Sequence, residues 1–212
     1  MRNVVFVAPF FLATTIRFLE SVLSLENVRV GLVSQDPINK LPGNLRGRLA
    51  ADWRVADALD ANHLVPAVQG LATKMGGVER LVGALEELQV PLAQVRERLR
   101  IPGLSVEAAQ NFRDKSRMKT VLQENGLPCA KHALARSADE ARKLIDDLGF
   151  PVIAKPPDGA GARGTYRLED ANAFQEFVHH FPISERRPVL FEEFIQGEEH
   201  SFDSVMVDGQ PV

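Results

Sequence analysis

Only one cysteine, Cys129, occurs in the 212 residues. That excludes an internal disulfide and any cysteine-cluster zinc site. Beside Pro128 the thiol reads as a small, partly buried side chain rather than a nucleophile. No apolar run is long enough to span a bilayer. The opening, Arg2 followed by VVFVAPFFLATTI, has the charge and length of a short secretory signal. However, Pro9 interrupts it, no clean small-x-small cleavage site follows, and amphipathic sequence continues at once. It reads instead as a buried strand entering a helix. Excess charge of one sign is also lacking: the formal net charge is −3, with no basic stripe interleaved with aromatics. Nothing therefore draws the chain to nucleic acid or an anionic membrane, and neither is an expected partner. With 45% apolar and 25% charged residues the composition is that of a folded globular protein, and the length allows one large or two modest domains. The cytoplasm is the expected setting.

What is present is ordered punctuation. NVVFVA (3–8) and VRVGLVS (28–34) are β-branched apolar runs of the kind buried on both faces. Between them Ile16, Leu19, Val22 and Leu23 recur at helical spacing. Strand, helix and strand within some thirty residues predict a parallel sheet. Residues 35–44 read as loop. VERLVGAL (78–85) fits two descriptions equally: the start of a helix running through Leu92, Val95 and Leu99, or a strand followed by a helix near Glu86. Pro102 and Gly103 mark the best domain boundary. Beyond it, DKSRMKTVLQENGLP is a helix stopped at Gly126 and Pro128. SADEARKLIDDLGFP is a second, with Ser137 and Glu140 at capping-box spacing, inward Ala141, Leu144, Ile145 and Leu148, and a stop at Gly149 and Pro151. AKHALA (130–135), VIAK (152–155), GTYRL (164–168) and PVLFEEFI (188–195) are strand-like. A helix N-capped by Asp170 turns Phe174, Phe177, Val178 and Phe181 inward. The order β-α-β-β-α-β predicts a compact two-layer unit. Asp208-Gly209 is a strong hairpin signal with only three residues after it, so the chain is expected to be the front part of a longer protein.

The chemistry centres on IAKPPDGAGARGTY, where Gly159, Gly161 and Gly164 have the spacing G-x-G-x-x-G. A dinucleotide fingerprint needs a helix opening directly after the glycines, and TYRLED is strand-like. A Walker A loop needs a lysine directly after the last glycine, and Thr165 stands there. A strand-loop-strand flap remains, whose main-chain N–H groups can approach phosphate without intervening side chains. On its own such a loop is as readily a flexible hairpin tip. Lys155 ends an apolar strand just before it, placed to meet a phosphate as a point charge. Lys115 can add a second cation, although alone it reads as a solvated helix residue. Glu192 and Glu199 flank a bend at Gly197, suited to an adenine amino group and ribose hydroxyls, or to a solvated acidic turn. His179 and His180 read as surface near a helix end, and His200 has no assigned role.

Together DKSRMKTVLQENGLPCAKH, GFPVIAKPPDGAGARGTYRL and VLFEEFIQGEEHSFDSVMVDG resemble the ATP-grasp superfamily, in particular its biotin carboxylase-like and carboxylate–amine ligase branches. The resemblance covers about 113–209, and 1–105 is compatible with the α/β domain that precedes it in that family. It favours the strand reading of VERLVGAL. It implies an α/β fold with a parallel-sheet domain (1–105), a linker helix (106–127), a β-α-β-β-α-β lid subdomain (128–195), and the start of a truncated C-terminal subdomain (196–212). By the same resemblance Lys115 and Lys155 contact phosphate, and Gly159, Gly161 and Gly164 form the mobile flap, where Arg163 can add charge. Glu192 lies near the adenine amino group, the Phe194–Ile195 main chain reads the adenine edge, and Glu199 binds ribose. The implied activity is ATP-dependent formation of an acyl phosphate from a small-molecule carboxylate, followed by attack of an amine or similar nucleophile. The implied cofactors are ATP and Mg2+, with the metal ligands expected beyond residue 212. This chain alone is then expected to be inactive; a homodimer stays open. The remaining alternative is a non-catalytic α/β module that binds an effector or a partner.

Overall fold

In the computed structural model, which describes residues 1–159, 164–207 and 210–212, the chain divides into two compact units, Met1–Gly126 and Leu127–Val212. Gly161 and Arg163 of the expected flap and the hairpin pair Asp208-Gly209 lie outside the described residues.

The first unit is built on four parallel strands, β1 (Arg2–Ala8), β2 (Val28–Ser34), β3 (Ala51–Arg54) and β4 (Arg80–Gly83), in the order β3-β2-β1-β4. Alternate residues serve opposite faces. Phe6, Ala8, Val30 and Leu32 pack on Leu19 of α1 (Ala13–Leu23) and on Leu45 of the short helix α2 (Gly43–Arg46). Val5, Val7, Val33 and Leu81 pack on Leu64, Val68 and Leu71 of α3 (Ala61–Met75) and on Leu92 of α4 (Gln89–Leu99). Burial on both faces is why β1 and β2 are continuous apolar runs.

Residues 80–83 pair with β1, so VERLVGAL holds a strand, and the helix that follows begins at Gln89 after a 3-10 turn at Glu86–Leu88. The stretch 35–44 is not all loop: it holds a 3-10 turn at Ile38–Lys40 and the start of α2. Two helices complete the unit, α5 (Val106–Arg113) and α6 (Lys115–Glu124). Asp114 ends the first, and its carboxylate caps the second by accepting the N–H groups of Ser116 at 2.8 Å and Arg117 at 3.1 Å. Gly126 follows with φ +71.

The second unit contains β5 (His132–Ala135), α7 (Ala138–Leu148), β6 (Val152–Lys155), β7 (Tyr166–Leu168), α8 (Ala171–His180) and β8 (Val189–Glu193). The strands form one antiparallel sheet, order β5-β8-β6-β7. The capping signals act as read. The Ser137 hydroxyl accepts the Glu140 N–H at 3.2 Å, while the Glu140 carboxylate accepts the Arg136 N–H at 2.7 Å; Asp170 accepts the Ala173 N–H at 2.9 Å. Ala141, Ile145, Phe174 and Phe177 cover one sheet face made of Val152, Ala154, Leu168 and Phe191.

Four residues expected inside are not fully so. Leu144, Leu148 and Val178 are half-buried at the margin of this core. Phe181 is 45% exposed, because the backbone leaves the helix there; its ring leans on Tyr166, 4.8 Å between centroids. After Gly164 the chain runs into β7 and no helix begins until Ala171, which removes the dinucleotide-turn geometry. At the far end β9 (Met206–Val207) pairs antiparallel with β10 (Gln210–Pro211). Among the described residues no helix is long and apolar enough to cross a membrane.

Candidate functional site

The sheet of the second unit has a second face, turned away from α7 and α8. Directly opposed residues share a face. The pairings His132↔Glu192, Leu134↔Leu190, Ile153↔Glu192, Lys155↔Leu190 and Ile153↔Arg167 therefore set those side chains together. Lys155 and Glu192 are diagonal neighbours there, within reach of long side chains. Their ends meet: Lys155 Nζ lies 2.7 Å from Glu192 Oε2, with 20% and 8% of the two side chains exposed. A lysine at the end of an apolar strand is thus held by a carboxylate rather than solvated. Its ammonium carries three N–H donors, and one is committed to Glu192.

The main chain beyond β8 is also defined. Glu193 N–H donates to the Lys131 carbonyl at 3.0 Å and its carboxylate accepts the Lys131 N–H at 2.8 Å. Phe194 N–H donates to the Pro151 carbonyl at 3.3 Å, whereas the Ile195 N–H donates to no described residue. The segment is thereby anchored up to Phe194 and offers a main-chain donor one residue later. The Arg167 guanidinium stacks on the Phe194 ring, 3.9 Å from its centroid, and also pairs with Glu169 at 2.8 Å. Reading the sequence did not single out Arg167. The signal that finds it is strand register, since it stands opposite Ile153 on the Lys155–Glu192 face.

The other expected site residues are distributed differently. Gly159 is half-buried at the end of β6's outgoing turn. Gly164 has φ +72, and a Cβ there would sit 3.3 Å from Pro156 Cγ and Cδ. That glycine is required by the backbone where the hairpin returns, whatever the loop binds. Glu199 stands in the exposed irregular stretch after β8, with Glu198 and His200 paired beside it at 3.4 Å. Lys115 opens α6 in the first unit, half-buried. His180 turns its Nδ1 to the Glu176 carbonyl at 2.8 Å within α8. Among the described residues no group of three or more His, Cys, Asp or Glu is placed to hold a metal ion. The loops after β1 and β2, where an open parallel sheet binds ligands, do border a crevice in the first unit.

Residues 114–211 match the family described as the carbamoyl-phosphate synthase L chain, ATP binding domain. The carbamoyl phosphate synthase large chain of Streptomyces griseus is 30% identical over 144 residues, covering 66% of this chain and 12% of that protein. Among solved structures, the L-amino acid ligase from Bacillus licheniformis superposes with a TM-score of 0.70 at 19% identity, over 93% of this chain and 45% of that one. The biotin carboxylase domain of the Hydrogenobacter thermophilus 2-oxoglutarate carboxylase, a dimer in complex with MgADP, ADP and bicarbonate, superposes with a TM-score of 0.66 at 20% identity. The likeness covers 91% of this chain and 44% of that one. The chain spans less than half the length of each of these three proteins.

Proposed function

We propose, from the match of residues 114–211 to a family described as an ATP binding domain and from the likeness in fold to an L-amino acid ligase, that the whole protein is an ATP-dependent ligase of ATP-grasp type. It forms an acyl phosphate from a carboxylate for attack by an amine or a similar nucleophile. The observation that carries the reading is the Lys155–Glu192 pair on the sheet face turned away from α7 and α8, with an Ile195 N–H that no described residue accepts three residues beyond Glu192.

These residues fit a nucleotide in kind. Glu192 fixes the lysine by one N–H, which leaves two for phosphate oxygens and spares the side chain the entropy of being ordered on binding. The Ile195 N–H suits an acceptor on the adenine edge, and Arg167 stacked on Phe194 gives that edge a flat, cationic wall. The strand-loop-strand element containing Gly159, Gly161 and Gly164 is the flap that excludes water, and Lys115 is the second phosphate cation. Glu199 is the ribose carboxylate. ATP supplies the phosphoryl group, and magnesium shares with the lysines the neutralisation of its charge.

Residues 128–195 are then the lid subdomain, and 196–212 the start of a further, C-terminal subdomain. Relatives named for amino-acid ligation and carbamoyl phosphate synthesis support small carboxylate and amine substrates. The dimeric biotin carboxylase domain supports testing for a homodimer, and reliance on ATP with a lone thiol fits a cytoplasmic setting.

The test is titration calorimetry of this chain with ATP, with and without magnesium, alongside Lys155→Arg and Lys155→Met. Binding that survives as Arg and is lost as Met supports the phosphate role. Equal affinity in all three chains refutes it. The chain of 212 residues is expected to form no acyl phosphate, and measurable formation would overturn that expectation.

A further inference from the structure

The crevice bordered by the loops after β1 and β2 lies wholly within the first unit, at the carboxyl ends of β1, β2 and β3. It measures about 730 Å³ and is bordered by Phe10, Gln35, Asp36, Lys40, Arg54 and Ala56, among others. Its walls are tied together. The N–H groups of Gln35 and Asp36 both donate to the Pro9 carbonyl, at 3.0 and 3.2 Å, and the Val55 N–H donates to the Ser34 carbonyl at 2.9 Å. The Gln35 side chain bridges to the third loop, donating to the Ala56 carbonyl at 3.3 Å and accepting the Ala58 N–H at 3.1 Å. The crevice walls are thus held by their own hydrogen bonds.

An inventory of its polar groups shows what it can take. Both Asp36 oxygens are engaged, Oδ2 by the Phe11 N–H at 3.0 Å and Oδ1 by Lys40 Nζ at 2.8 Å. Both ends of the Gln35 amide are engaged as well. Arg54 spends its Nε on the Gln35 carbonyl at 2.9 Å, and its two terminal nitrogens bond to no described residue. Lys40 keeps two of its three donors. Each side-chain acceptor is therefore already engaged by a donor while N–H groups remain unused, with two cations against one carboxylate. A ring at Phe10, 42% exposed, supplies an apolar wall.

We propose that this crevice binds a small organic carboxylate, its planar group on the Arg54 fork and its apolar body against Phe10. A guanidinium presents parallel N–H groups that match a carboxylate edge to edge. The excess of one positive charge suits a monoanion. A phosphate dianion is less well served, because the loop after β1 has no glycine and its Phe11 N–H already serves Asp36. The inference does not depend on the nucleotide reading, since none of these residues belongs to the second unit.

The test is an amide chemical-shift titration of the whole chain, without nucleotide or magnesium. The probes are acetate, lactate, alanine and benzoate, with benzamide and inorganic phosphate as matched controls. At least one carboxylate is expected to shift Phe10, Phe11, Gln35 and Val55 saturably, benzamide to leave them in place, and alanine to bind no better than lactate because the one carboxylate, Asp36, already faces Lys40. Arg54→Met should weaken the best carboxylate by about tenfold, the size of one charge-assisted hydrogen bond. Its amide spectrum away from the crevice reports whether it has folded. Phe10→Ala, which removes no hydrogen-bonding side chain, should weaken benzoate more than acetate. Absence of a saturable shift with all four carboxylates overturns the proposal. So does phosphate or benzamide binding as well as benzoate, or a folded Arg54→Met with unchanged affinity.

Discussion

Replacing Lys155 by Met takes the cation at 2.7 Å away from the Glu192 carboxylate, only 8% of whose side chain meets water. Removing one member of a buried ion pair typically costs about 3–5 kcal/mol, since the charge left behind keeps its desolvation and loses its partner. Lys155 retains one-fifth of its surface, so solvent relieves part of this, and about 2–3 kcal/mol is the expected loss. The only tryptophan, Trp53, lies in the first unit and does not report on the second. Hydrogen exchange of the β6 and β8 amides does. Where exchange follows local opening, that loss makes them roughly 30- to 150-fold faster. Adding Glu192→Gln to Lys155→Met removes the buried charge that has lost its cation and should restore most of the protection. If the single variant exchanges like the parent, the pair contributes nothing and the site is not preorganised by it. If the double variant is no better than the single, the loss came from packing of the lysine stem. The same pair of variants separates folding from recognition in the calorimetry, because the double variant keeps the sheet and lacks the cation.

Four further outcomes follow from the geometry. Gly70→Ala puts a Cβ within 2.2 Å of the Trp53 ring, so it should destabilise the first unit by about 1–3 kcal/mol despite the better helix propensity of alanine. Urea unfolding read by Trp53 fluorescence checks this. Gly164→Ala meets both a left-handed backbone and Pro156, and should lose about 1–2 kcal/mol locally, seen as faster exchange in β7. Ser137→Ala should cost the second unit about 1 kcal/mol through its lost cap, read as a lower urea midpoint in far-ultraviolet circular dichroism. In the first unit, hydrogen bonds from Lys40 and then from the Phe11 N–H hold the Asp36 carboxyl below its ordinary range, helped by the charges of Lys40 and Arg54. A depressed folded value means this contribution is present above the unfolded pKa and is lost as pH falls through the folded one. The Phe11 amide shift should therefore move at acid pH in the parent and stay flat in Asp36→Asn.

Much of the fold is legible from local chemistry. β1 and β2 announce themselves because burial on both faces demands unbroken apolar runs. α7 and α8 do so because Ser137, Glu140 and Asp170 bond only to neighbours in sequence. The β-α-β-β-α-β order and the family resemblance over about 113–209 rest on this same local punctuation, and the comparisons agree with it. What local pattern hides is whatever a distant residue compensates. α3 carries Pro66 and Gly70, each a helix breaker by propensity; the space above Gly70 is filled by the Trp53 ring from β3, a strand too short and exposed to show alternation. VERLVGAL had no decisive period, and pairing with β1 made it a strand.

The candidate site divides along the same line. The residue types, a lysine ending a strand, a glycine loop and two glutamates across a bend, are written in the sequence. That Lys155 is fixed by Glu192, 37 residues away, is a matter of antiparallel register, as is the arrival of Arg167 on Phe194. A one-residue slip would send each of these side chains to the opposite face, so only the assembled sheet decides which charges meet. The carboxyl-end crevice follows the same logic, because parallel pairing of β1, β2 and β3 is what brings Phe10, Asp36 and Arg54 to one edge.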